Sequence, residues 1–276
     1  MIETIDESIY DHPKYYDLVF GADVAAETKF ILGCADQFCD HQARRFFEPA
    51  CGTGRLVHSL VRKGHETWGL DLNPRAVDFC NARLSRHGYG HRVITADMCD
   101  FDKTDFASCV GLDRRRLRTA PFDVAFNTIN SFRHVGTEKL AQAHFAAVAR
   151  VIRPGGLYLL GIHLTPTKVA PSETESWSAR RGSLSINTHM WTVAREPQKR
   201  LERFGIYFDI HTPRRSFRIN DELHLRSYTA PQMRRTFLAG GHWDCIATYD
   251  FGYDLGYPID VDATTEDVVY VLRRTG

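Results

Sequence analysis

Apolar positions along the chain form short runs separated by stripes of helical period. Phe30, Ile31, Cys34 and Phe38 recur at helical spacing, and the first forty or so residues are expected to be helical. A short run, Phe46-Phe47, follows and ends in Glu48-Pro49-Ala50-Cys51-Gly52-Thr53-Gly54; Leu56, Leu60 and Val61 then mark a helix. Thr67 to Leu72 is a second run, and Asn73-Pro74 opens another helix with proline at a favoured first-turn position. Val93 to Ala96 and Phe122 to Ile129 read as a third and a fourth strand. Thr137 to Ile152 is helical, with Leu140, Phe145 and Val148 expected inward and Pro154-Gly155-Gly156 stopping it. Leu157 to Leu164 is a fifth strand, apolar almost throughout.

Short apolar strands alternating with helices predict a mostly parallel sheet covered on both faces. The pattern changes between about 165 and 227. There, alternating runs such as Ser185 to Trp191 and Phe204 to Phe208 predict inserted antiparallel strands. A helix at about Pro231 to Ala239 and a closing strand pair, Trp243 to Phe251 and Val268 to Leu272, complete the chain. The expected organisation is an N-terminal helical cap at 1–42, an α/β domain at 43–164 and 228–276, and an antiparallel insertion at 165–227 that serves as a lid or a dimer element.

Composition narrows the partners. The chain has 276 residues, 43% hydrophobic and 25% charged, with 35 basic against 34 acidic side chains and a formal net charge of +1. That balance gives no reason to expect a nucleic-acid partner. No apolar stretch has the length of a membrane span, and the N-terminus lacks a signal pattern, so a cytoplasmic location is expected. Seven cysteines without a CxxC pair suggest neither a zinc site nor a disulfide framework. The thirteen histidines are scattered without ligand spacing, and no metal is expected. Arg114-Arg115-Arg116-Leu117-Arg118 is the one basic run, read as a solvated loop or an attractor for an anionic substrate.

The candidate chemistry lies in the glycine loop. Glycines between a strand and a helix allow a sharp turn and a close ligand approach, and the helix behind offers free N–H groups. A dinucleotide fingerprint would carry a third glycine where Val57 stands, and no Gly-Lys-Ser/Thr follows, so neither that fingerprint nor a P-loop is present. Asp71, 17 residues past Gly54 at the end of the next strand, can accept from both hydroxyls of a ribose. Asp97, past the third strand, can accept from an adenine amino group, with Met98 as an apolar wall.

In order and content these elements resemble class I S-adenosylmethionine-dependent methyltransferases, over roughly 45–164 and 228–274. The implied fold is a Rossmann-like, seven-stranded, mostly parallel sheet with helices on both faces, here with an antiparallel β lid inserted after strand five. The resemblance implies S-adenosyl-L-methionine as cofactor and S-adenosyl-L-homocysteine as product. It implies that Glu48, Ala50, Gly52 and Gly54 cradle the methionine portion and the start of the ribose, that Arg55 also contacts the cofactor, that Asp71 and Leu72 hold the ribose and that Asp97 and Met98 hold the adenine. Asn127 would line the sulfonium side, and Tyr15-Tyr16-Asp17 resembles a segment that closes over the cofactor, placing Tyr16 in the site.

Methyl transfer from a sulfonium needs an in-line nucleophile, exclusion of water and, for amines or hydroxyls, often a base. His134, in the loop after the fourth strand, is the candidate base, since histidine titrates near neutral pH. Similar loops in sugar-amine N-methyltransferases carry a histidine at the matching place; the alternative is that His134 caps or packs the next helix. Asn130 and Tyr228 are candidate acceptor contacts, with backbone bonding and ordinary half-burial as their alternatives. Asn127-Thr128-Ile129-Asn130 departs from the Asn/Asp-Pro-Pro-aromatic motif of methylases acting on planar amino groups. The expected partner is a small-molecule acceptor, with a homodimer through the inserted strands also considered. Two other functions compete: a non-catalytic S-adenosylmethionine-binding module, and a nicotinamide oxidoreductase, against which the missing third glycine counts.

Overall fold

The computed structural model describes residues 3–21, 24–112, 115, 122–171 and 173–276. In chain order the elements are β1 (Glu3–Asp6), α1 (Pro13–Val19), α2 (Val24–Phe38), β2 (Arg45–Pro49), α3 (Arg55–Arg62), β3 (Glu66–Asp71), α4 (Pro74–Arg86), β4 (Val93–Thr95) and β5 (Phe122–Asn127). Then come α5 (Glu138–Val151), β6 (Ile152–His163), β7 (Thr174–Arg181), β8 (Leu184–Glu196), β9 (Leu201–His211), β10 (Ser216–Arg226), α6 (Ala230–Leu238), β11 (Trp243–Tyr249) and β12 (Asp267–Arg274).

Among the described residues, seven strands form one sheet in the order β11-β12-β6-β5-β2-β3-β4. β4, β3, β2, β5 and β6 run parallel, while β12 is antiparallel to both β6 and β11. Side chains alternate between two cores because successive strand residues point to opposite faces. Phe46, Val124 and Leu157 meet α2 and α3 on one face; Phe47, Ala125 and Tyr158 meet α5 and α6 on the other. Burying each phenylalanine contributes roughly 2–3 kcal/mol. With both faces covered, the strands read as continuous apolar runs rather than alternating ones.

Helix starts are set locally. The Asn73 side chain accepts from the Arg75 N–H at 2.9 Å, with Pro74 in the first turn. Thr137 accepts from the Leu140 N–H at 3.2 Å at the start of α5. Strand order reverses between β2 and β5, and open α/β sheets bind ligands at the carboxyl ends flanking such a switch.

The second sheet has the order β1-β10-β9-β8-β7. β7 to β10 are antiparallel neighbours, as the alternating pattern predicted, and β1 joins β10 in parallel with Ile5 opposite Ile219. This corrects the expected helical cap at 1–42. Glu3–Asp6 is a strand of the inserted sheet, and α2 is a covering helix of the main sheet through Phe30, Ile31 and Cys34. The four-residue strand is too short for its period to register in the sequence. A second correction concerns Leu140, which is 44% exposed and lines the cleft rather than the core. Most of the basic run, Arg114 and 116–118, lies outside the described residues. Among the described residues no helix is long and apolar enough to cross a membrane.

Candidate active site

The carboxyl ends of β2, β3 and β5 open into one cleft of about 970 Å³, roofed by the second sheet. That is at the upper end of the roughly 300–1,000 Å³ of small-molecule sites. Its walls include Tyr16, Ala50, Gly52, Asp71, Leu72, Asp97, Met98, Asn130 and His134, so nine of the residues singled out from the sequence converge.

The loop after β2 places every second residue in the left-handed region: Ala50 at φ 54°, Gly52 at 54° and Gly54 at 66°. Gly52 presents bare backbone to the cleft, where a Cβ would approach the Tyr16 ring to 3.8 Å. Its N–H donates to Asp71 Oδ2 at 2.6 Å, while the Asn73 N–H donates to Asp71 Oδ1 at 2.9 Å. Two backbone donors thus fix the carboxylate and leave lone pairs for further donors. Burial raises the Asp71 pKa, against the pull of those backbone bonds. Leu72, 70% exposed, stands at the cleft mouth.

At the end of β4, the Cys99 N–H holds Asp97 Oδ1 at 2.8 Å. The Met98 carbonyl is supported from behind by His144, whose Nδ1 lies 2.8 Å away and whose Nε2 lies 2.7 Å from the Tyr158 hydroxyl. A carbonyl only accepts, so Nδ1 carries the proton and Tyr158 donates to Nε2. These residues fit an adenosyl cofactor: a fixed carboxylate for a ribose, a second for an adenine amino group, and a side-chain-free cradle at Gly52.

The 3-10 turn Ser131–His134 follows β5 and aims His134 into the cleft. Its Nε2 lies 2.9 Å from the Tyr10 hydroxyl. Loss of hydration against the cleft wall, then the nearby Arg133 charge, push the His134 pKa below its ordinary value. The helix-cap alternative fails, since Thr137 caps α5. Asn130 lines the cleft at φ 54°, but its Oδ1 accepts from the His163 N–H at 3.0 Å.

Five expected contacts lie behind the wall instead. Glu48 is buried with Oε2 unpartnered, and burial raises its pKa well above the carboxylate range. Gly54 packs against α4, where a Cβ would come 2.1 Å from Cys80 Sγ. Arg55 forms a two-pronged pair with fully buried Glu27, to which Thr128 also donates. The Asn127 amide donates to the Pro49 carbonyl at 2.8 Å, stapling β5 to β2 rather than facing the cleft. Tyr228 is the clearest correction: it is fully buried beside Phe132, with the Arg200 guanidinium 4.5 Å from its ring centroid. Tyr228, in the run before α6, turns into the core, with its neighbour Arg226 and the Arg200 guanidinium over its ring.

Sequence reasoning missed Tyr10, the partners that hold Asp17, and the Arg133–Glu202 pair in the cleft wall. Arg133 adjoins His134 in sequence, but its partner is 69 residues away.

Fold and cleft define a class: α/β proteins with a ligand cleft at the strand tips and an inserted sheet above it. Residues 47–156 match the family described as methyltransferase domain. YqeM of Bacillus subtilis (strain 168) is 26% identical over 119 residues, which span 43% of this chain and 42% of that relative. The sugar N-methyltransferase KedS8 from Streptoalloteichus sp ATCC 53650 superposes with a TM-score of 0.70 at 17% identity, covering 98% of this chain and 94% of that one. CalS10 from Micromonospora echinaspora, an amino pentose methyltransferase solved with its cofactor bound, gives 0.67 at 18% identity over the whole of both chains. The chain therefore has the fold of the S-adenosylmethionine-dependent methyltransferases, the class its motifs resemble.

Proposed function

We propose that this chain binds S-adenosyl-L-methionine between the strand tips and transfers its methyl group to nitrogen or oxygen of a small molecule held under the inserted sheet. One observation carries the reading: Gly52, Asp71 and Asp97 share a single cleft with His134 and with side chains of the second sheet. The cofactor, when bound, supplies an electrophilic methyl group on a sulfonium. Asp71 and Asp97 orient the nucleoside through hydrogen bonds. Tyr16 and the second sheet keep water from the reacting centre, which favours in-line approach of the acceptor. His134, held neutral, accepts the proton that the acceptor sheds. The contribution of the inserted sheet to the cleft supports a lid role over a homodimer role. Sugar N-methyltransferases among the similar folds support a small, polar-headed acceptor.

Calorimetry of Asp71→Ala tests the cofactor site. The expected loss is at least about tenfold in S-adenosylmethionine affinity, because removing hydrogen bonds to a charged acceptor costs about 1.5–3 kcal/mol. Unchanged affinity would refute the assignment. Tight cofactor binding with no methyl transfer across a broad metabolite screen would favour the binding-module alternative.

A further inference from the structure

We propose that the acceptor is an amine carried on an apolar, unphosphorylated body, an inference that rests on the methyl-transfer reading above. Beyond His134 the cleft wall is built from Trp177, Met190, Phe204, Ile206, Leu223 and Leu225 of the second sheet. Apolar side chains of this number define the site of a ring system or hydrocarbon frame, since burial of such a frame supplies the binding energy.

The charges on the wall exclude a diphosphate handle. Among the described residues, the cleft is lined by no lysine and by three arginines, Arg75, Arg133 and Arg195. Arg75 stands at the cofactor end and faces Asp11 at 3.7 Å. Arg133 pairs with Glu202 and donates to the Arg226 carbonyl at 2.9 Å. Arg195 approaches the other oxygen of Glu202 at 3.7 Å and donates to Thr192 Oγ1 at 3.1 Å. Both second-sheet-side guanidiniums are thus held by one buried carboxylate. A diphosphate ester brings two negative charges, and recognition of phosphate relies on guanidinium forks turned to the ligand.

The remaining charges on this side are Glu175 and Glu266. Three carboxylates against two guanidiniums leave the acceptor end net negative. An acidic, low-dielectric cleft concentrates cations, so a protonated amine is drawn in while an anionic acceptor is repelled. After losing a proton to solvent, the amine nitrogen uses its lone pair to form the new N–C bond. The C–S bond breaks with its electron pair remaining on sulfur, and the second proton shed from nitrogen passes to His134.

The test uses the full chain saturated with S-adenosyl-L-homocysteine and three probes titrated by calorimetry: tryptamine, its alcohol counterpart tryptophol, and uridine diphosphate glucosamine. Tryptamine is expected to bind at least about tenfold more tightly than either of the others. Glu175→Lys, an exposed position outside the cofactor end, is expected to narrow that preference by several-fold while sparing the homocysteine product's affinity. Equal or tighter binding of the sugar nucleotide overturns the unphosphorylated body, and equal or tighter binding of tryptophol overturns the amine. Absence of tryptamine binding at millimolar concentration overturns the whole inference. Failure of the chain to bind S-adenosyl-L-homocysteine in the first titration would instead strike the underlying methyl-transfer reading.

Discussion

The Tyr10 hydroxyl lies 2.9 Å from His134 Nε2, and the two rings meet edge-on with centroids 5.4 Å apart. Tyr10 comes from the turn between β1 and α1, His134 from the turn after β5, so the inserted sheet and the main sheet each supply one partner. Burial raises the Tyr10 pKa well above its ordinary value, keeping the phenol a donor at neutral pH. Donation to the unprotonated ring disfavours the imidazolium, in the same direction as its loss of hydration in the cleft. A base works in its neutral form, so activity rises as pH climbs through the depressed His134 pKa. The acid limb of kcat/KM should therefore fall below the ordinary histidine value of about 6.5. In His134→Ala that limb should vanish and turnover drop about 10²–10⁴-fold, with cofactor affinity preserved. In Tyr10→Phe the limb should move up toward the ordinary value. A limb unmoved by either change would remove His134 from the chemistry.

Gly54 tests whether the loop's glycine is there for conformation or for space. Its φ of 66° costs a side-chain-bearing residue about 1–2 kcal/mol. A Cβ would also sit 2.1 Å from the Sγ of fully buried Cys80. Gly54→Ala is expected to lower stability by about 3 kcal/mol or more in urea unfolding. Adding Cys80→Gly should recover the steric part and leave the backbone part. If the double variant is no more stable than the additive sum, the two positions do not collide.

His144 links the cleft wall at Met98 to pH. Burial lowers its pKa to about 4, although the Met98 carbonyl accepting from Nδ1 pulls the other way. The folded state thus binds this proton less readily than the unfolded chain, whose histidine titrates near 6.5. Stability from this group is full above about pH 6.5 and declines as pH falls toward 4, by at most about 3 kcal/mol. In His144→Gln, the slope of stability against pH between 4 and 6.5 should flatten. A slope equal to that of the parent protein would assign the linkage elsewhere.

The parallel sheet was legible because its strands are buried on both faces and punctuated by caps and glycines that act locally. The places of Asp71 and Asp97 at the cleft were legible for the same reason, Asp71 ending one apolar run and Asp97 following another. Tyr228 and Asn127 were misread, since a position beside a functional loop does not reveal which way its side chain turns. Tyr228 is covered by Arg226, two residues before it, and by the Arg200 guanidinium from the turn before β9, and Asn127 is taken by the Pro49 carbonyl across the sheet. Arg55 looks available in the motif, yet its partner Glu27 lies 28 residues upstream on α2. Pairings of this kind depend on tertiary proximity, which no periodicity encodes.

The N-terminal segment is held over the glycine loop by one carboxylate. Asp17 on α1 is buried and accepts from Thr53 Oγ1 at 3.0 Å and from Arg83 Nη1 at 2.8 Å. Arg83 also donates to the Thr53 carbonyl, and Arg181 of the second sheet approaches Asp17 at 3.6 Å. One carboxylate therefore ties α1 to the glycine loop, to α4 and to β7, beside the point where Tyr16 covers Gly52. Asp17→Ala leaves a largely buried guanidinium without its anion, and breaking such pairs costs about 3–5 kcal/mol. Asp17→Asn keeps an acceptor for Thr53 and should lose less. If the tie holds Tyr16 closed, both variants should release S-adenosyl-L-homocysteine faster, by about tenfold for alanine, in stopped-flow displacement. The melting temperature should fall in the same order. A fall in melting temperature with an unchanged dissociation rate would confine Asp17 to stability and leave closure of the segment to Tyr16 and the apolar contacts of α1.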